Sequence, residues 1–141
     1  VVTLPHRNLG IEPLGEIPAG MTKSMGGGDS MVGLSHVFFD YDQYIIRDDA
    51  AEILVANATL LNSTYEDSNV TIQGYCDERG TTEYNLVLGE RRAQSISSYL
   101  KDLGVAGGRI DVISYGEERP ICHESNPACW QQNRRGQFVL Q

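Results

Sequence analysis

Alternation between apolar and polar positions predicts four strands in the second part of the chain. In residues 69–76 every second side chain, beginning at Val70, is apolar or small, so this face of the strand is expected to lie against the core. Cys76 falls on that face and is predicted to act as a small apolar filler. Shorter runs rich in β-branched and aromatic residues predict the other strands, at residues 36–42, 109–116 and 136–140.

A helical period predicts two helices between these strands. In residues 47–65 apolar side chains recur about seven positions apart, and Asp48 or Asp49 is positioned to cap the N-terminus. A longer helix is predicted at residues 82–103, because an acidic residue lies in its first turn, a basic residue lies in its last turn and Gly104 follows as a stop. The predicted order is β-α-β-α-β-loop-β, an α/β or α+β sandwich with the helices on one face of the sheet.

The remaining part of the chain shows no sustained period. Residues 1–34 contain three prolines and a triple glycine, and we interpret them as a flexible leader or tether that precedes a folded domain at residues 35–141. A total of 141 residues suits one domain. No apolar run approaches the ~20 residues that a membrane-spanning helix requires. The net charge of -8 argues against a nucleic acid partner, since binding to phosphates needs a positive surface.

The three cysteines leave two chemistries open. Cys122 and Cys129 lie close together and are predicted to form a disulfide, with Cys76 free, which would suit an oxidising compartment. The alternative is a zinc- or thiol-dependent enzyme that uses Cys76, Cys122, His123 and Cys129. Zinc ligands usually occur in CxxC-like pairs, which this chain lacks, and a core position for Cys76 argues against an exposed thiolate. The disulfide is therefore the favoured interpretation, with no metal and no enzyme activity.

One arginine of the long helix lies on its apolar side. Arg92 is four residues after Leu88 and four before Ile96, whereas Arg91 is rotated about 100° away and reaches water. A charge directed towards the sheet needs a partner. Side chains on a helix lean towards its N-terminus, and this direction takes Arg92 towards Asp77 at the end of the second predicted strand.

Two interpretations of Asp77 and Arg92 follow. In the structural one, they form an ion pair that fixes the helix to the strand. In the functional one, both remain open at the end of the sheet, where the carboxylate accepts an ammonium and the guanidinium a carboxylate of an amino-acid head group. Other chemistries fit less well. The glycine-bracketed segment GYCDERG, residues 74–80, lacks the Gly-Lys-Ser/Thr of a phosphate-binding loop. Asp77 and Glu78 are adjacent and so point in different directions, which does not suit an acid/base pair.

Four segments together carry a family resemblance. In order they are "VFFDYD", "GYCDERGTTEYNLVLGERRA", "SYGEERP" and "NRRGQFVL". They resemble the signature segments of the OmpA-like C-terminal domain family, and they are closest to the peptidoglycan-binding lipoproteins of that family. The resemblance covers residues 36–141. It implies a β-α-β-α-β-β domain whose helices pack on one face of a mixed four-stranded sheet.

The resemblance also implies a function. Members of the family are periplasmic, non-catalytic and without a cofactor, and they bind peptidoglycan non-covalently through the diaminopimelate residue of its stem peptide. Some link the outer membrane to the cell wall through an N-terminal lipid anchor, which is absent from this chain, and bind TolB of the Tol-Pal system. On this basis Asp77 and Arg92 hold the diaminopimelate head group. Further groove residues implied by the resemblance are Phe39, Asp40, Tyr41, Gly80, Leu88, Asn133 and Arg134.

Overall fold

A four-stranded mixed sheet forms the framework of the protein in a computed structural model that describes residues 33–141. The strands are β1 (Val37–Phe38), β2 (Val70–Tyr75), β3 (Ile110–Gly116) and β4 (Arg135–Leu140). Their order across the sheet is β1-β4-β2-β3, with β2 parallel to β3 and antiparallel to β4. This mixed sheet confirms the predicted fold class. The first strand is shorter than predicted, because the backbone turns after Phe38 and Asp42 adopts a positive φ of 56°.

Three α-helices lie within the described part of the chain: α1 (Asp48–Leu61), α2 (Thr82–Asp102) and α3 (Pro127–Asn133). The first two were predicted, and a short 3-10 helix at Gly107–Arg109 was not. The predicted cap of α1 is wrong, since the N-cap residue is Arg47 and both aspartates lie in the first turn. There Asp49 forms an ion pair with Arg47, with 2.6 Å between the nearest atoms.

The third helix was also not predicted. The sequence predicts a loop at residues 127–133, because seven residues are too few to show a helical period. The readable signal is at the N-terminus, where the Asn126 side chain caps the helix by accepting a hydrogen bond from the backbone N–H of Cys129 at 2.8 Å. Pro127 occupies the first helical position, which suits a residue without an N–H donor.

The core lies between the sheet and the two long helices. Leu54 and Leu61 of α1, Ile96 and Leu100 of α2 and Phe138 of β4 are all buried. Burying each such side chain contributes about 1.5–3 kcal/mol relative to leaving it in water. No helix within residues 33–141 is long and apolar enough to span a membrane.

Two glycines bring α2 unusually close to β2. A Cβ atom on Gly74 would lie 1.8 Å from the carbonyl oxygen of Gly89, so a larger residue at position 74 would force the helix away from the strand. This close contact between Gly74 and Gly89 also brings the next turn of α2 close to the sheet. It places Arg92 directly at the end of β2, where its guanidinium reaches the carbonyl oxygen of Tyr75.

The packed part of the chain begins close to the predicted boundary. Leu34 is buried in the core, and Ser35 is held by the side chain of Asn57, which exchanges two hydrogen bonds with its backbone at 3.1 and 3.0 Å. The predicted leader, residues 1–34, lies outside the described residues except for its last two positions. Its separation from the domain stays a prediction.

Candidate functional site

A cleft opens at the C-terminal end of β2, beside the first turns of α2. The empty space between its walls, including the part that is open to solvent, is about 300 Å³. Five of the residues implied by the resemblance line it: Tyr41, Asp77, Gly80, Leu88 and Arg92. Gly80 has a φ of +101°, the left-handed region that favours glycine, so the chain turns sharply there without a side chain that would fill the cleft.

Arg92 is the most deeply buried charge of the cleft, with 1% of its surface exposed. Its guanidinium donates to three backbone carbonyls: Nε to Gln43 at 2.7 Å, Nη1 to Tyr75 at 2.9 Å and Nη2 to Asp40 at 3.0 Å. Burial lowers the pKa of Arg92 to about 10, so the side chain remains charged at neutral pH. None of the ion pairs found within residues 33–141 includes Arg92.

Asp77 has its own partners. Its carboxylate accepts from Nη2 of Arg79 at 2.9 Å and from Nη1 of Arg134 at 3.2 Å, and also from the backbone N–H of Arg79 at 2.9 Å. Burial favours the neutral carboxyl, but the hydrogen bonds from Arg79 and Arg134 outweigh it and hold the pKa of Asp77 below its usual value. The structural interpretation, an Asp77–Arg92 ion pair, is therefore wrong. Asp77 is paired with Arg79 and Arg134, whereas Arg92 donates to backbone carbonyls.

The segment after β1 contributes mainly through its backbone. Phe39 is buried, and its carbonyl oxygen accepts from Nε of Arg134 at 2.8 Å. Its ring lies 5.2 Å from the guanidinium carbon of Arg92. The carboxylate of Asp40 faces Arg47, at 3.2 Å. Of the three residues implied here, only Tyr41 lines the cleft.

Asn133 and Arg134 have different surroundings. Asn133 is buried, and its side-chain oxygen accepts from the backbone N–H groups of Ile121 and Cys122 at 2.8 and 3.0 Å. It therefore fixes the preceding loop and does not line the cleft. Arg134 donates from Nη1 to the same carboxylate oxygen of Asp77 as Arg79 Nη2, and it does not line the cleft. The ligand-binding roles of these residues stay predictions.

Sequence reasoning missed one residue of the cleft that makes several contacts. Arg79 lies between two aromatic rings, with its guanidinium carbon 3.9 Å from the ring centre of Tyr41 and 4.0 Å from that of Trp130. Its contact with Asp77 was readable, because an aspartate commonly accepts from the backbone N–H two residues later. Trp130 could not have been found, since it arrives from α3, 51 positions further along the chain than Arg79.

Two further residues shape the rim. Asn85 donates to the carbonyl oxygen of Arg79 at 2.9 Å and to the carboxylate of Glu117, so it holds the turn that carries Arg79. The hydroxyl of Tyr84 donates to the carboxylate of Asp42.

The cysteines contradict the enzyme alternative. Cys122 and Cys129 form the predicted disulfide, which removes both thiols from any zinc or thiol chemistry. Cys76 is free and buried as predicted, and burial raises its pKa to about 11, so it carries no thiolate at neutral pH. His123 is exposed, and residues 33–141 contain no group of three or more histidine, cysteine or acidic side chains that could hold a metal ion.

Comparison with known proteins agrees with the motif resemblance. The OmpA family model matches residues 38–134. The peptidoglycan-associated lipoprotein of Brucella melitensis is 46% identical over 74% of this chain and 61% of its own length. That of Rhizobium meliloti is 47% identical over 74% of this chain and 58% of its own length.

A solved structure agrees with the fold. The crystal structure of the peptidoglycan-associated lipoprotein from Burkholderia pseudomallei has a TM-score of 0.73 at 36% identity, covering 83% of this chain and 98% of that one. The chain spans about 60% of the length of the curated relatives named above, at 61% and 58%.

Proposed function

The chain belongs to the OmpA family, and on this premise we propose that it binds peptidoglycan non-covalently through the diaminopimelate residue of the stem peptide. Diaminopimelate ends in a free amino-acid head group, which carries one ammonium and one carboxylate. The cleft at the end of β2 offers one partner for each of these charges. Arg92 receives the carboxylate and Asp77 the ammonium.

The observation that carries this proposal is the buried charge of Arg92. A guanidinium has five N–H donors, of which three are used by backbone carbonyls. The side chain lines the cleft and has no carboxylate partner among the described residues. A buried cation without a counter-charge is costly. A ligand carboxylate bound beside the guanidinium supplies that counter-charge and removes the cost.

Asp77 adds selectivity for the ammonium. Its oxygens already accept four hydrogen bonds, the longest at 3.3 Å from Nε of Arg79. A carboxylate has about four lone-pair sites, so an ammonium binds by replacing a guanidinium contact. We expect the ammonium to replace the longest of these contacts, that from Nε of Arg79. A ligand with a carboxylate but no ammonium gains nothing at this position.

The names of the relatives, which describe lipoproteins associated with peptidoglycan, support a wider role. We infer that the protein is a non-catalytic component of the cell envelope that works in the periplasm and links the outer membrane to the cell wall. Its full-length form would carry an N-terminal lipid anchor and bind TolB in a Tol-Pal system. The Cys122–Cys129 disulfide suits this oxidising compartment.

Calorimetric titration with synthetic stem peptides tests the proposal. Wild-type protein is expected to bind a peptide with meso-diaminopimelate at least about ten-fold more tightly than one with lysine, which lacks the second carboxylate. Asp77→Asn removes the charge that meets the ammonium and should cost about 2–5 kcal/mol of binding free energy, or about thirty-fold or more in affinity.

The matched control is Asp111→Asn, which makes the same chemical change at an exposed position of β3 outside the cleft. It should leave the affinity unchanged. Equal affinity of the wild type for the two peptides would contradict the proposal. Full affinity in a folded Asp77→Asn protein would do so as well.

A further inference from the structure

We propose that Arg79 is a second carboxylate receptor of the same cleft and that it binds a further carboxylate of the stem peptide. This inference rests on the proposed function, in which Asp77 and Arg92 take the head group of diaminopimelate. It adds a requirement that the head group alone does not impose, because the ligand must then present a second anionic group next to it.

The guanidinium of Arg79 is held in place before any ligand arrives. Tyr41 and Trp130 flank it with ring centres at 3.9 and 4.0 Å from its central carbon, and Asp77 accepts from its Nη2 at 2.9 Å. Cation–π contacts of this kind are strongest on tryptophan and are more often made by arginine than by lysine. An arginine fixed in this way loses little further side-chain entropy when it binds an anion.

Part of this guanidinium is still open to solvent. The side chain is 32% exposed. Its Nη1 donates to no residue in the part of the chain that the structure describes, whereas Nε and Nη2 both face Asp77. The open donors are therefore the two N–H groups of Nη1 and the second N–H of Nη2, at the end of the guanidinium that faces away from Asp77. One N–H of Nη1 and one of Nη2 are parallel at this end, which matches a carboxylate that accepts two N–H bonds from one guanidinium.

Trp130, one of the two rings that flank Arg79, is fixed by contacts of its own. The indole N–H of Trp130 donates to the carboxylate of Glu78 at 2.9 Å, and the hydroxyl of Ser125 donates to the same oxygen at 2.6 Å. The disulfide between Cys122 and Cys129 ties the preceding loop to α3, which carries Trp130. The chain thus holds Trp130 and Arg79 together from two separate segments.

Arg79 and Arg92 line one cleft, so one ligand can reach both. Beyond the diaminopimelate head group, a stem peptide that ends at diaminopimelate has two other carboxylates: the α-carboxylate of D-glutamate and the C-terminal carboxylate. Either supplies the chemistry that the open edge of Arg79 recognises. Both are removed without a change of shape by conversion to a carboxamide, which keeps the oxygen acceptor but loses the charge.

The test is a set of titrations with three tripeptides, each containing meso-diaminopimelate: one with both carboxylates, one amidated at D-glutamate and one amidated at the C-terminus. The wild type should bind one of the amidated peptides about five- to twenty-fold more weakly than the parent, as expected for the loss of a partly exposed charged contact. In Arg79→Gln this difference should disappear. Arg79→Lys keeps the charge but not the planar pair of donors, and it should retain only part of the difference.

Arg91→Gln serves as the control, because it removes the same charge from an exposed position outside the cleft. It should discriminate between the peptides as the wild type does. A wild type that binds all three peptides equally would overturn the role of Arg79 while leaving the proposed function intact. The role of Arg79 would also be overturned if Arg79→Gln still discriminated between the three peptides. A uniform gain in the affinity of Arg79→Gln for all three would overturn it too, because Arg79 would then only compete with the ligand ammonium for Asp77. Failure of the wild type to bind any of the peptides would instead refute the proposed function.

Discussion

Replacing Arg92 with lysine keeps the positive charge but removes most of the hydrogen bonds that this side chain makes. Arginine joins three carbonyl oxygens, those of Gln43 and Asp40 in the segment after β1 and that of Tyr75 at the end of β2. Lysine is shorter and carries its donors on a single nitrogen, so we expect it to retain one of the three contacts. The change therefore releases the segment after β1 from the strand.

The size of the effect follows from these contacts. A buried carbonyl that loses its donor costs about 1–3 kcal/mol, and two such losses give about 2–6 kcal/mol. Carbonyls at residues 40 and 43 belong to a surface segment that can relax towards water, which favours the lower half of this range. The expected loss in the free energy of unfolding is about 2–4 kcal/mol. At about 4 °C per kcal/mol, the melting temperature should fall by about 8–16 °C.

Thermal unfolding followed by circular dichroism measures this loss, with Arg91→Lys as the control. Arg91 is exposed on the same helix, and within residues 33–141 its one contact is a distant one, at 5.6 Å from the ring centre of Tyr44. Its replacement should therefore shift the melting temperature by less than about 2 °C. If Arg92→Lys melts as the control does, the three carbonyl contacts do not hold the cleft together, and the geometry described for Arg92 is refuted.

Two further predictions concern the disulfide and one histidine. Thiol titration of unreduced, denatured protein should find one reactive cysteine, Cys76, whereas three would refute the disulfide. Cys122→Ser together with Cys129→Ser should lower the free energy of unfolding by about 2–3 kcal/mol, measured by denaturant unfolding. Burial, and to a lesser extent Arg135, lowers the pKa of His36 to about 4, so between pH 6.5 and 4 the unfolded chain takes up a proton that the folded protein does not. The free energy of unfolding should therefore be highest above pH 6.5 and fall by about 1–3 kcal/mol as the pH drops to 4. His36→Gln should lose this part of the pH dependence. An identical pH profile in the variant would show that His36 is not its source.

The periodic part of the fold was predictable from the sequence. Val70 and Ile72 alternate with polar residues and are fully buried, and the stripe through Ile96 faces the core as the helical period indicates. These patterns are visible because each element is long enough to repeat them. The helix α3 has seven residues and shows no repeat, so only its Asn126 cap could have indicated it.

Five of the predicted residues line the cleft, but their contacts were not predictable and Arg79 was missed. The stripe argument placed Arg92 in the interior, because a residue between Leu88 and Ile96 must face the sheet. Its acceptors are backbone carbonyls, and their direction depends on the turn after β1, where Asp42 has a positive φ. No side-chain pattern encodes that direction. Asp77 is the expected partner of Arg92 only if the partner of a buried charge must be another side chain, whereas here the partners are backbone carbonyls.

A crystal structure of the protein with meso-diaminopimelate tests the central claim most directly. We predict that a carboxylate oxygen of the ligand lies about 3 Å from an Nη atom of Arg92 and that the ammonium of the same head group lies about 3 Å from the carboxylate of Asp77. The contacts of Arg92 with its three backbone carbonyls should persist. A ligand bound elsewhere, or one whose carboxylate leaves Arg92 with the carbonyls alone, would contradict the account.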